Sequence, residues 1–115
     1  MYILVHREKR KDCHRDYTSV YEMLRELFPD EIKMKTGRTT LELFGITVDF
    51  RFGEVWKCAG IRPDYYLADT YEARNFLAQS AVKCDGKELS NLSKILTLIL
   101  EYLADCGGVN KKEIP

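Results

Sequence analysis

Near its start the chain runs Tyr2-Ile3-Leu4-Val5-His6 with no charged break, and this run constrains the fold more than any other stretch. A strand with one wet face alternates apolar and polar residues, whereas a strand covered on both faces does not. The run therefore predicts an interior strand of a parallel or mixed sheet. The next stretch, Arg7 to Tyr17, is dense in charge and reads as a loop. Ser19-Val20-Tyr21-Glu22 then has the spacing of a capping box. Val20, Leu24, Leu27 and Phe28 recur at helical intervals up to Pro29, so a helix is expected over 18–28.

From Ile32 the period changes. Ile32 and Met34 alternate with lysines, Lys35-Thr36-Gly37-Arg38 supplies a turn, and Thr39 to Phe44 reads as a strand before Gly45. Ile46, Val48, Phe50 and Phe52 alternate with Thr47, Asp49 and Arg51, the pattern of a half-buried strand, and the two segments predict an antiparallel hairpin. Gly53 to Gly60 is a loop carrying the single tryptophan, Trp56. A short strand, Tyr65 to Ala68, then delivers Asp69 at its end.

The spacing predicts a second helix over 70–83, with Thr70 as its cap and Ala73, Phe76, Leu77, Ser80 and Ala81 on one face. A turn at Cys84-Asp85-Gly86-Lys87 ends it. A third helix is expected over 90–105, carrying Leu92, Ile95, Leu96, Ile99, Leu100 and Leu103 and stopping at Gly107-Gly108. These elements amount to an α/β (or α+β) fold: a single small domain over 1–108, a mixed sheet of about four or five strands with a β-hairpin, and about three helices. Residues 109–115 are expected to be a disordered tail.

Composition narrows the classes. With 115 residues, 45% hydrophobic and 31% charged, the chain suits one globular domain. The apolar run Ile95 to Leu100 is far short of the roughly 20 residues that span a bilayer. The N-terminal run has no basic segment before it, so a cytoplasmic protein is expected. Cys13, Cys58, Cys84 and Cys106 form no C-x-x-C pair and read as reduced thiols; Cys13-His14 is the nearest approach to a metal or nucleophile constellation. No cofactor is expected.

Eighteen basic and eighteen acidic residues cancel, so attraction to nucleic acid must be local. Arg7, Lys9, Arg10, Lys11, Lys33, Lys35 and Arg38 are the candidates for contact with phosphate. Trp56, Arg62, Tyr65, Tyr66 and Tyr71 are candidates for a protein partner, since aromatic and arginine side chains dominate interface energetics. Asp69 and Glu72 are the candidates for a metal ion. Alternation along the 65–68 strand places Asp64 and Asp69 on opposite sides, which argues against a carboxylate pair.

The order of strand, Arg7, Ser19-Val20 helix, hairpin from Leu41 to Phe52 and strand ending in Asp69 is similar to the middle of the ATPase domain of phage large terminases, which are P-loop NTPases. The similarity covers roughly residues 2–72, and it implies that Asp69 is a Walker B acid on the magnesium side. Two departures go with it. The chain has no G-x-x-x-x-G-K-[ST], hence no phosphate cradle, and Thr70 stands where a hydrolytic member usually has Glu.

Three functions follow from the sequence. The leading one is a small non-enzymatic binding protein of phage or mobile-element type acting through contact with a protein, possession of a homo-oligomeric form being open. The others are a nucleic-acid-binding module using the basic loops, and a magnesium-dependent phosphoryl-transfer or nuclease enzyme centred on Asp69.

Overall fold

A computed structural model describes the backbone of residues 1–82 and 86–113, and the side chains of 1–79 and 86–105. Its elements are β1 (Tyr2–Arg7), α1 (Arg10–Leu27), β2 (Lys33–Met34), β3 (Thr40–Leu43), β4 (Ile46–Phe52), a 3₁₀ turn (Val55–Cys58), β5 (Tyr65–Ala68), α2 (Tyr71–Val82), β6 (Lys87–Glu88) and α3 (Lys94–Glu113). The fold is mixed α/β. Six strands form one sheet in the order β2-β3-β4-β1-β5-β6, two of them two-residue edge strands beyond the expected four or five.

β1 lies at the interior of the sheet, as its unbroken apolar run requires. It pairs in parallel with β4 on one side, Val5 opposite Phe50, and with β5 on the other, Val5 opposite Leu67. Its two faces feed two cores. Ile3 and Val5 join Val20, Leu24, Phe50, Ile95 and Ile99 under α1 and α3, while Leu4 joins Val55, Cys58, Tyr66, Ala73 and Leu77 under the 3₁₀ turn and α2. Asp64 staples the amino ends of β1 and β5: its carboxylate accepts the Tyr2 N–H at 2.8 Å, and its own N–H donates to the Tyr2 carbonyl at 2.9 Å.

The hairpin forms as the sequence predicts, with Leu43 opposite Ile46 and a two-residue loop. Both loop residues have positive φ, Phe44 at 53° and Gly45 at 77°, the geometry whose twist matches paired strands. A phenylalanine in that region is strained, and the Phe28 ring meets Phe44 edge-on at 5.4 Å. Exchange of that ring contact for backbone comfort explains how Phe44 is tolerated.

Three expectations need correction. The helix expected over 18–28 begins eight residues earlier, at Arg10, so Cys13-His14 is helical and Ser19 is an exposed mid-helix residue rather than a cap. Tertiary contacts explain the extra turns: Cys13 reaches the core, and Asp16 is buried as the ion-pair partner of Arg7. β4 keeps the expected alternation at Ile46, Val48 and Phe50 against part-exposed Thr47 and Arg51, but Asp49 on its polar side is buried and Phe52 on its apolar side is half-exposed. The third helix starts at Lys94, not 90, after a turn in which the Lys94 N–H donates to the Asn91 carbonyl, and its backbone continues past 105 and through the expected stop at Gly107-Gly108 to Glu113. The expected turn at Cys84-Asp85 lies outside the described residues, as do the side chains at the expected stop, Gly107-Gly108, and along the expected tail 109–115.

Two substitutions check this packing. Phe50 is 1% exposed, so Phe50→Ala is expected to lower the unfolding free energy by about 3–5 kcal/mol in a denaturant titration. Gly45→Ala places a Cβ at φ 77° and is expected to cost about 1–2 kcal/mol, read as a lowered melting temperature.

Candidate functional site

The topology sets where a ligand can enter. After β1 the chain builds the β2–β4 side with α1 on one face, then crosses β1 through residues 53–64 to reach β5, with α2 on the opposite face. The strand order therefore reverses at β1. The carboxyl ends of β1 and β5 flank the crevice where open α/β sheets bind ligands. There the Glu8 N–H is shared between both Asp69 carboxylate oxygens, at 3.2 and 3.3 Å, and the Ala73 N–H donates to Thr70 Oγ1 at 3.1 Å, making Thr70 the cap of α2.

A cavity of about 340 Å³ opens at this edge, lined by His6, Glu8, Glu54, Val55, Trp56, Thr70, Glu72 and Ala73. His6 is 2% exposed, and neither ring nitrogen has a hydrogen-bond partner among the described residues. Burial pushes its pKa below the ordinary histidine value, against the smaller opposing pull of the Asp69 carboxylate and the Gly53 backbone. His6 is thus a neutral imidazole near pH 7.

A larger cleft of about 910 Å³ lies at the carboxyl end of β4. Arg10 and His14 of α1, Lys35 and Arg38 of the β2–β3 turn, Arg51 of β4 and Lys57 of the 3₁₀ turn all line it, over Tyr17, Phe50 and Phe52. Five Lys or Arg side chains meet two carboxylates, Asp49 and Glu54. Asp49 is buried at the floor, where it accepts from Arg51 Nε at 2.8 Å, Thr40 Oγ1 at 3.1 Å and the Tyr2 hydroxyl. Three donors satisfy this carboxylate, and it fixes Arg51 at the cleft. Burial, first, and Asp49, second, push the Tyr2 hydroxyl well above the usual phenol range. Arg10 sits 5.9 Å over the half-exposed Phe52 ring and its Nε donates to His14 Nε2 at 3.4 Å. Lys35 pairs with Glu42 at 2.8 Å.

The structure gathers some of the expected site residues and scatters others. Of the seven candidate phosphate contacts, Arg10, Lys35 and Arg38 converge on the cleft. Lys9, Lys11 and Lys33 are exposed outside its lining, and Arg7 is tied to Asp16. Arg51 and Lys57, which the sequence did not single out, and His14, noted there only as the neighbour of Cys13, complete the cleft. Alternating polarity around Phe50 and Phe52 marks Arg51 as a polar-face residue, but only the three-dimensional crossing of the 53–60 loop brings Lys57 beside it.

The aromatic candidates do not form one platform. Tyr66 is buried in the second core and Tyr65 packs against the first, as alternation requires, so the two point to opposite faces of the sheet. Trp56 is 59% exposed, its indole N–H donating to Glu54, and Tyr71 is 74% exposed at the start of α2. Arg62 is exposed in the crossing segment. Asp69 is exposed at the crevice and Glu72 faces the smaller cavity. No group of three or more His, Cys, Asp or Glu among the described residues is placed to hold a metal ion. Cys13 and Cys58 are free and buried, each with its thiol pKa raised chiefly by burial. Cys13 and His14 are sequence neighbours on a helix, whose side chains diverge. No helix among the described residues is long and apolar enough to cross a membrane.

Comparison with family models, curated proteins and solved structures returns no match.

The unpartnered histidine has a measurable consequence. Removing two buried polar atoms without partners is expected to make His6→Leu more stable than the parent by about 1–3 kcal/mol near neutral pH. The unfolded chain protonates this histidine at about pH 6.5, whereas the folded chain resists the proton, so the unfolded state binds more protons in that window. Stability tied to His6 is therefore present above pH 6.5 and lost as the pH falls below it. Urea titrations at pH 7.5 and 5.5 are expected to show a steeper acid loss in the parent than in His6→Leu; parallel losses would place the acid sensitivity elsewhere.

Proposed function

We propose that this chain is a nucleic-acid-binding module that holds a single strand in the basic cleft. The observation that carries the reading is the convergence of Arg10, Lys35, Arg38, Arg51 and Lys57, from four separate segments, on one cleft that also holds the half-exposed Phe52 ring beneath Arg10. Single-strand sites combine such a charged groove with an aromatic face on which a base stacks. A volume of about 910 Å³ lies at the upper end of small-ligand pockets, roughly 300–1,000 Å³, so the cleft suits a short run of nucleotides and not a duplex. The arrangement also reconciles local attraction with zero net charge.

Contact with a protein is the second reading, favoured by the exposure of Trp56 and Tyr71. A phage or mobile-element setting for either reading rests on the terminase resemblance alone, and so does a magnesium-dependent reaction at Asp69.

Fluorescence anisotropy with a labelled oligo-dT or oligo-U separates these readings. Binding at low salt is expected, with a log–log salt slope near −2 for about three phosphate contacts at roughly −0.7 each. Arg10→Ala with Arg38→Ala is expected to weaken it tenfold or more, and Lys9→Ala with Lys11→Ala to weaken it far less. Phe52→Ala is expected to cost about 1–3 kcal/mol of binding. Absence of binding to either strand at low salt would overturn the proposal, and partner capture abolished by Trp56→Ala but not by the arginine variants would favour protein contact.

A further inference from the structure

The smaller cavity has a chemistry opposite to that of the basic cleft, and it shares only Glu54 with it. Its lining includes Glu8, Glu54 and Glu72 and no lysine or arginine. An acidic surface alone is ordinary, but here it meets a buried imidazole, at the point where the strand order reverses, whose ring nitrogens make no well-formed hydrogen bond among the described residues, the Gly53 backbone being the nearest influence. His6 belongs to the even-numbered face of β1, the face covered by the 3₁₀ turn and α2, which supply Val55, Trp56 and Ala73 to the same cavity.

We propose that this cavity binds an organic cation, a guanidinium or ammonium group, with His6 and the glutamates as its recognition set. Neutral imidazole offers one acceptor nitrogen and one N–H donor. A guanidinium or ammonium brings donors only, which suits the acceptor nitrogen together with three carboxylates. An anion would meet three like charges, and an apolar group would leave the imidazole nitrogens unpaired. A bare metal ion fits poorly on two counts: no group of three His, Cys, Asp or Glu is placed for one among the described residues, and about 340 Å³ far exceeds an ion but matches the smallest organic-ligand pockets, near 300 Å³. The positive end of α2 opposes a cation there, and Glu72 in its first turn offsets it. Trp56 adds an apolar wall whose ring already attracts Lys57 Nζ at 5.9 Å. His6 then reads as a residue whose cost to the free fold a bound ligand would offset.

The site is independent of the nucleic-acid reading, and its test uses different probes. Titration of ¹⁵N-labelled protein with agmatine is expected to give saturable shifts at the His6 ring nitrogens and the Trp56 indole. Glu8→Gln with Glu72→Gln changes exposed side chains and is expected to keep the melting temperature while weakening agmatine at least tenfold. N-acetylarginine amide as a parallel probe distinguishes the sources: a tighter fit than agmatine marks a basic side chain of a partner, a weaker one marks a free amine. Shifts no larger than those from sodium chloride at equal ionic strength would overturn the proposal. So would undiminished binding in the glutamine variant or in a folded His6→Leu variant, or saturation by Mg²⁺ or Zn²⁺ alone at lower concentration than agmatine.

Discussion

Burial of β1 on both faces is the constraint from which the rest of the structure follows. A strand that is apolar on both sides must be covered twice, and here the two covers are built differently: α1 and α3 over Ile3 and Val5, the 3₁₀ turn and α2 over Leu4. To supply both, the chain has to pass from one side of β1 to the other after β4 is complete, and residues 53–64 make that passage. The passage is what creates both cavities. It lays Lys57 and Cys58 beside the end of β4, closing the basic cleft, and it sets Glu54 to Trp56 against the end of β1, closing the acidic one.

Among the described residues, buried polar side chains then divide into those that the fold has paired and His6, which it has not. Asp49 has three donors and Asp16 has Arg7, so each carboxylate exchanges hydration for charge-assisted hydrogen bonds. Both pairs also do positional work: Arg7 with Asp16 anchors the first turns of α1 to the end of β1, and Asp49 aims Arg51. His6 lies outside these networks: the Gly53 backbone acts on its ring, but neither ring nitrogen makes a well-formed hydrogen bond among the described residues. A buried group without a good partner costs free energy comparable to a hydrogen bond or more, so its isolation weighs against the fold. Placement of that feature at the reversal of strand order, and not at random in the core, is why it reads as functional.

What could be read from the sequence was whatever depends on local periodicity. The interior strand, the hairpin with its break at Gly45, the strand ending at Asp69 and the Thr70 cap all rest on patterns within a few residues, and each recurs in the structure. What escaped depends on tertiary partners. Arg10 to Tyr17 carries too many charges to look like a buried helix face, and only Arg7 at the end of the preceding strand explains a buried Asp16. Asp49 looked like a solvent-facing residue because alternation cannot show that Tyr2 and Thr40 of the neighbouring strands will enclose it. The same limit applies to the sites: Arg10, Lys35 and Arg38 were visible as separate charges, but their meeting with Arg51 and Lys57 belongs to the topology.

Net charge illustrates the point at the level of the whole molecule. Eighteen positive and eighteen negative groups suggest a surface with no preference for any charged partner, and a uniform distribution would have none. The fold sorts them instead. One wall, the segment from Glu54 to Cys58, separates a cleft with five cations and two carboxylates from a cavity with three carboxylates and no cation. Fields inside such concave sites are governed by the groups that line them, since solvent screens more distant exposed charges within about 8–10 Å at ordinary salt. A chain neutral in sum can therefore hold opposite charges a few residues apart, on either side of the short turn carrying Glu54, Trp56 and Lys57.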